Sequence, residues 1–201
     1  MHQGEIIMAF KRLFQALSLA GSLLLSGLFP QGAAAAEYGI DPSHTFIQFE
    51  IGHLGYSILN GRFNTFAGGF NWDADNPAAS SINVTIKTNS IDTNWAERDK
   101  HLRSADFLDV DTYPEASFKS TKYTGDANGG RLDGVLTLHG VSKPITLQIE
   151  RVGEGKDPWG GYRAGFKATT SIKRADFGMT YNLGPAAETM SFDLFVEGIR
   201  K

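Results

Sequence analysis

Phe46-Ile47-Gln48-Phe49-Glu50-Ile51 decides how this chain is read, because Ile47, Phe49 and Ile51 alternate with the polar Gln48 and Glu50. A period of two places alternate side chains on opposite faces of an extended chain, so one face is buried and the other is wet. The same rule returns at Ile82, Val84 and Ile86, which alternate with Asn83, Thr85 and Lys87. It recurs at Leu136 and Leu138, at Ile145, Leu147 and Ile149, and at Met190, Phe192, Leu194 and Val196. Between the runs lie Asp75-Asn76-Pro77, Gly125 to Gly130, Ser142-Lys143-Pro144 and Asp157-Pro158-Trp159-Gly160-Gly161, all rich in residues that supply turn geometry.

Roughly seven or eight short strands joined by hairpins result, and such a meander with one apolar face closes as a sandwich or a barrel. Closure alone removes exposed edges, which favours the barrel. The fold class expected is therefore all-β, a single antiparallel eight-stranded barrel over residues 37–201. One segment departs from the pattern. Asn94 to Ser104 carries helix formers, with Asn94 at the cap position and Glu97 three residues on, and predicts a short helix across an end or side of the barrel.

Ahead of the strands, Lys11 and Arg12 precede an apolar run from Leu13 to Phe29, and Ala34-Ala35-Ala36 follows as an A-x-A cleavage site. Residues 1–36 are expected to be a cleaved signal peptide that sends the protein to the periplasm. A membrane anchor is the alternative, but the run is shorter than the roughly 20 residues a spanning helix needs. An oxidising compartment would permit disulfides, yet the chain has no cysteine. Stability must then come from the core, and thiol catalysis and thiolate metal sites are excluded. A net charge of −3 without basic blocks argues against nucleic acid as a partner.

Catalytic and metal motifs are missing. His44, His53, His101 and His139 form no H-x-H or H-E-x-x-H spacing, and no G-x-S-x-G elbow is present, so neither a catalytic site nor a metal nor a cofactor is expected. Arg98, Lys100, His101 and Arg103 stand beside Glu97, Asp99 and Asp106. A solvated, internally paired face is the plainer reading of that group, and a rim meeting the polar head of a lipid is the functional one. Aromatic residues gather early, at Phe46, Phe49, Phe63, Phe66, Phe70 and Trp72, and late, at Phe166, Phe177, Phe192 and Phe195. The interior of a barrel of about eight strands is either filled by such side chains or left hollow for one ligand, and the pattern does not choose between them.

Several blocks carry a family resemblance. They are Tyr38 with Ile40-Asp41 and Ser43-His44, His53-Leu54-Gly55-Tyr56, Gly61-Arg62-Phe63, and Asn89-Ser90-Ile91-Asp92-Thr93-Asn94. The strongest is Glu97-Arg98-Asp99-Lys100-His101-Leu102-Arg103-Ser104-Ala105-Asp106-Phe107-Leu108-Asp109-Val110 with Tyr113-Pro114. Later come Gly140-Val141-Ser142-Lys143-Pro144, Arg163-Ala164-Gly165-Phe166 and Asp176-Phe177-Gly178. In these blocks the chain resembles the YceI-like proteins, lipocalin-like polyisoprenoid-binding barrels of the bacterial periplasm. The resemblance implies an extended barrel with a long apolar tunnel for a polyprenyl chain or similar lipid, and no enzymatic activity.

Taking one face of each alternating strand as inward nominates Ile47, Phe49, Phe63, Phe70, Val84, Ile86, Leu136, Leu138, Phe166, Phe192 and Leu194 as tunnel lining. Arg98 and His101 are nominated for the rim. The expected partner is an isoprenoid, an isoprenoid quinone or another apolar lipid, held for transport or storage; transient membrane contact and a homodimer are compatible with that role. Two rivals stand beside it. A quinone-linked redox accessory requires the histidines to converge on the tunnel, and a stress-response partner-binding protein requires a filled barrel.

Overall fold

The computed structural model describes residues 35–201, so the expected signal segment lies outside the described residues except for Ala35 and Ala36. Eleven strands follow: β1 (Ala36–Ile40), β2 (Phe46–His53), β3 (Ser57–Phe63), β4 (Phe66–Trp72), β5 (Ser81–Lys87), β6 (Ile91–Asp92), β7 (Glu115–Gly125), β8 (Gly129–Leu138), β9 (Val141–Lys156), β10 (Tyr162–Lys173) and β11 (Thr189–Arg200). Every ladder between them is antiparallel.

These strands make eight staves of one closed barrel. β1 and β2 lie end to end along β11, with Tyr38 opposite Arg200 and Ile47 opposite Leu194. β3 and β4 form the next stave, interrupted at Asn64-Thr65, and β5 and β6 the one after, interrupted at Thr88 to Ser90. The other five staves are continuous strands, and β11 closes the ring on β1 and β2. The interruptions are adjacent in space, because Asn64 N–H donates to Ser90 O at 3.1 Å and Lys87 N–H to Thr65 O at 2.9 Å. Thr88 seals this seam, donating through Oγ1 to Tyr113 O at 2.7 Å while almost fully buried.

Alternation works as physics requires within each uninterrupted strand. Phe49 and Ile47 on β2, Leu132 and Leu138 on β8, and Ala164, Ala168 and Ile172 on β10 are all buried, with more exposed residues between them. Parity changes where the ladder is irregular. The register of β7 shifts between Ser120 and Lys122, so Phe118 and Tyr123, of opposite parity, are both buried.

Two local expectations are corrected. Ser142-Lys143-Pro144 is not a turn but lies inside β9, and the turn is His139-Gly140 just before it. Pro144 is tolerated there because the β9–β10 ladder covers only Gln148 to Lys156, so at Pro144 the strand is paired with β8 alone. Both turn residues take positive φ, 51° at His139 and 71° at Gly140, as a tight two-residue hairpin turn demands. A Cβ at Gly140 would also meet the Tyr113 ring at 2.4 Å. Gly140→Ala is therefore expected to lower stability by about 1–2 kcal/mol, read from a urea midpoint with unchanged slope.

The second correction concerns helix α1 (Ala96–Arg103), whose cap residue is Trp95 rather than Asn94. Asn94 sits at a φ of 63°, and its N–H donates to Asp92 Oδ1 at 2.9 Å. Asp99, not Glu97, reaches back, accepting from Thr93 N–H at 2.9 Å and from its hydroxyl. Arg103 then ties the helix to the β5–β6 seam by donating to Asn89 O at 2.8 Å and Ile91 O at 2.6 Å.

Candidate binding cavity

The bore of the barrel is hollow, with a cavity of about 830 Å³ running along it. Its walls are the inward faces of the strands described above. Ile47, Phe49, Phe63, Phe70, Val84, Ile86, Leu136, Leu138, Phe166, Phe192 and Leu194 all border it, and so do Arg98 and His101. Ile82, Ile145, Leu147, Ile149, Met190 and Val196 border it too, and carry the same alternation signal. Sequence reasoning missed Phe66 and Tyr123, which sit beyond a strand interruption and a bulge, Ala168 and Thr170, which are too small or polar to read as lining, and Leu59, although it shares β3 and its parity with Phe63. It also missed Arg174, Met179, Tyr181, Asn182 and Leu183, from the irregular segment between β10 and β11.

The two ends of the bore differ. At the end where β1 begins and β11 finishes, aromatic rings are packed together. Tyr38 stacks on Phe70 at 4.9 Å, and Phe166 meets Phe70 edge-on at 5.6 Å and Trp72 at 5.0 Å. Trp72 satisfies its indole by donating to Glu154 Oε2 at 2.7 Å, so the buried ring carries no orphaned N–H. At the opposite end the lining reaches solvent through His53, Leu54, His101 and Tyr181, all exposed, and this end is the mouth.

Around the mouth the polar side chains that border the cavity include Arg98, His101 and Arg174. Arg98 donates through Nε to Thr93 Oγ1 at 2.7 Å and through Nη2 to Thr93 O. His101 Nε2 lies 2.9 Å from Asp106 Oδ2, and its ring meets Phe107 at 4.9 Å and Tyr181 at 5.4 Å. Arg174 is 7% exposed and donates to three backbone carbonyls, Ala187 O at 2.6 Å, Met179 O at 3.3 Å and Tyr181 O at 3.2 Å. Burial pulls its pKa below the usual arginine value, and Glu188 opposes this from a distance. No Asp or Glu of the described residues borders the cavity.

The remaining histidines lie elsewhere. His139 Nδ1 is 3.0 Å from Phe177 O, and neither His139 nor His44 borders the bore. His44 belongs to a polar cluster on the outside of the barrel, built on Arg163 of β10. Arg163 donates to Asp41 at 2.7 Å, Glu197 at 2.6 Å and Asp157 at 2.9 Å, while His44 Nδ1 lies 2.9 Å from Asp41. Asp41, His44 and Glu197 are close enough together to share a cation, and the Arg163 guanidinium already bonds both carboxylates.

The cluster pins the break between β1 and β2 to β10 and β11. Hydrogen bonds from Ser43, then His44 and Arg163, hold the Asp41 carboxyl well below the usual carboxylate range. A carboxyl depressed in the folded state contributes stability that is complete above its unfolded pKa of about 3.9 and is lost as pH falls through the folded value. Wild-type protein is thus expected to lose thermal stability below about pH 4, and Asp41→Asn to be less stable at neutral pH with a flatter acid limb in a melting-temperature series.

Fold and cavity together define an up-and-down, lipocalin-like barrel whose apolar bore carries packed aromatic rings at one end and the basic and imidazole side chains at the other. The YceI-like domain matches residues 38–197, and the chain belongs to that family. A UPF0312 protein of Pseudomonas aeruginosa is 52% identical over 187 residues, 92% of this chain and 98% of that protein. The crystal structure of the YceI protein of Campylobacter jejuni, at 32% identity and a TM-score of 0.68, covers 75% of this chain and 90% of its own. A polyisoprenoid binding domain from Saccharophagus degradans implicated in plant cell wall breakdown shares the fold at 20% identity and a TM-score of 0.62, over 83% of this chain and 99% of that one.

Proposed function

We propose that this protein binds a long-chain apolar lipid, an isoprenoid or isoprenoid quinone, and shields its tail in the bore for transport or storage in the periplasm, without chemistry. The observation that carries this reading is the hollow bore. Its volume of about 830 Å³ falls in the range of small-molecule sites, roughly 300–1,000 Å³. Its walls are aromatic and aliphatic along almost their whole length. Each CH₂ removed from water contributes roughly 0.8 kcal/mol, so ten or so buried carbons supply ample driving force after the cost of ordering a flexible chain. The polyisoprenoid-binding relative in fold supports the choice of ligand class, and the leader-like residues ahead of the barrel support export.

Native mass spectrometry of the protein purified from its own host, followed by organic extraction, tests the reading. A stoichiometric apolar lipid released on extraction is the expected result. Protein that carries nothing and takes up no added prenyl alcohol or quinone would sink it.

A further inference from the structure

We infer that the bore is polarised: the mouth is a subsite for an oxyanion head group, phosphate or carboxylate, centred on Arg174, so the preferred ligand is an anionic amphiphile bound head-outward. This deepens the lipid-binding reading and rests on it.

Charge is distributed unevenly along the bore. The charged and imidazole side chains bordering the cavity are His53, Arg98, His101 and Arg174, and all lie at the mouth, on the β2–β3 hairpin, α1 and the segment after β10. Polar lining at the aromatic end is neutral, from Asn71, Ser80, Ser81 and Tyr123. A bore made to hold an uncharged hydrocarbon alone needs no such asymmetry. An apolar wall of low dielectric also strengthens any field set up at its rim.

Arg174 is the centre of that field. A guanidinium has five N–H groups, and three are donated to carbonyls of the segment that frames the mouth. The described residues place no carboxylate within ion-pair distance of it, whereas Arg163 on the outer face bonds three. In direct contact this buried cation has only carbonyls, and Glu188 offsets its charge only from a distance, so a counter-charge bound beside it would be favourable. Its surroundings link it to the other basic and imidazole side chains of the mouth. Tyr181 accepts from Arg174 through its carbonyl and packs its ring on His101, and Arg98 stands one turn before His101 on the same helix. A phosphate or carboxylate entering between α1 and this segment would take up the remaining donors as charge-assisted hydrogen bonds.

The plainer role for Arg174 is to hold the mouth segment in place, and its three carbonyl bonds do that. A purely structural role predicts no preference among head groups, and that difference is measurable. Geranylgeranyl monophosphate, geranylgeraniol, palmitate and hexadecanol would be titrated into lipid-stripped full-length mature protein by displacement of a fluorescent fatty alcohol.

The expected result is that phosphate, carboxylate or both bind about 10- to 100-fold more tightly than the alcohol of equal chain length. Whichever anion shows the gain identifies the head group. Arg174→Gln should erase most of that advantage while leaving the alcohols nearly unchanged. Arg98→Gln, on the partly exposed helix, should reduce it, and provides the mutational arm should Arg174→Gln not fold. Alcohols that bind as tightly as both anions to the wild-type protein would overturn the inference and leave lipid binding intact. Failure of all four to bind would instead remove the reading on which it rests.

Discussion

Ala168→Trp is expected to abolish uptake of a long lipid while the barrel still folds. Ala168 lies on β10 between Ile149 of β9 and Leu194 of β11, faces the bore, and is 4% exposed. Its neighbours across the interior are Phe118, Tyr123, Leu132 and Leu147. An indole there projects across the bore and shortens the length a chain can occupy. Displacing even four CH₂ groups would weaken binding by on the order of a hundredfold. Overpacking a dense core is costly, but here the added volume enters existing space, so the melting temperature should fall little or even rise. Val152→Trp, at an exposed site on β9, serves as the control and should bind normally. Normal affinity in Ala168→Trp would place the ligand elsewhere than this section of the bore.

Phe49→Ala acts on the scaffold instead. Phe49 is 3% exposed, and its ring meets Phe63 at 5.9 Å and Phe192 at 6.3 Å. It also lies over Gly61, its partner across the β2–β3 ladder, where a Cβ would come within 2.3 Å of the ring. The ring thus covers backbone that has no side chain of its own. Removing it should destabilise the lipid-free protein by about 3 kcal/mol, a fall in melting temperature of roughly 6–12 °C for a domain of this size. A loss below about 1 kcal/mol would mean that Phe49 behaves as free cavity wall rather than as part of the packed core.

These two substitutions separate what strand alternation reveals from what it hides. Within an uninterrupted strand, facing is a matter of parity, so Ile47 and Phe49, Leu136 and Leu138, or Phe192 and Leu194 could be assigned to the bore from the sequence. Parity fails to propagate across a break or a bulge. The extra residue Thr121 turns Tyr123 inward, and Asn64-Thr65 does the same between Phe63 and Phe66, with no signal in residue type. Ala168 and Thr170 escape because inward positions need not be large. Arg174 escapes for a different reason: a basic residue after a strand reads as a solvated terminus, and only the fold shows it buried in the wall of the mouth.

The helix illustrates the same limit. Its existence follows from composition, but its start is set by Asp99 bonding back to Thr93, a contact that Asn94 and Glu97 imitate in sequence. The basic residues along it divide between the two readings. Arg103 is consumed by carbonyls of the β5–β6 seam, whereas Arg98 and His101 also border the cavity.

The closing ladders of the barrel join its first staves to its last, Ile40 to Gly198 and Ile47 to Leu194. The hairpins from β7 to β11 can assemble by neighbouring contacts, but this final seam must bring together residues about 150 positions apart, the slowest kind of pairing for a chain to find. Until it forms there is an open, curved sheet with a greasy concave face and no container. The bore is therefore expected to close last in folding, so that a lipid present at that moment would be wrapped rather than threaded.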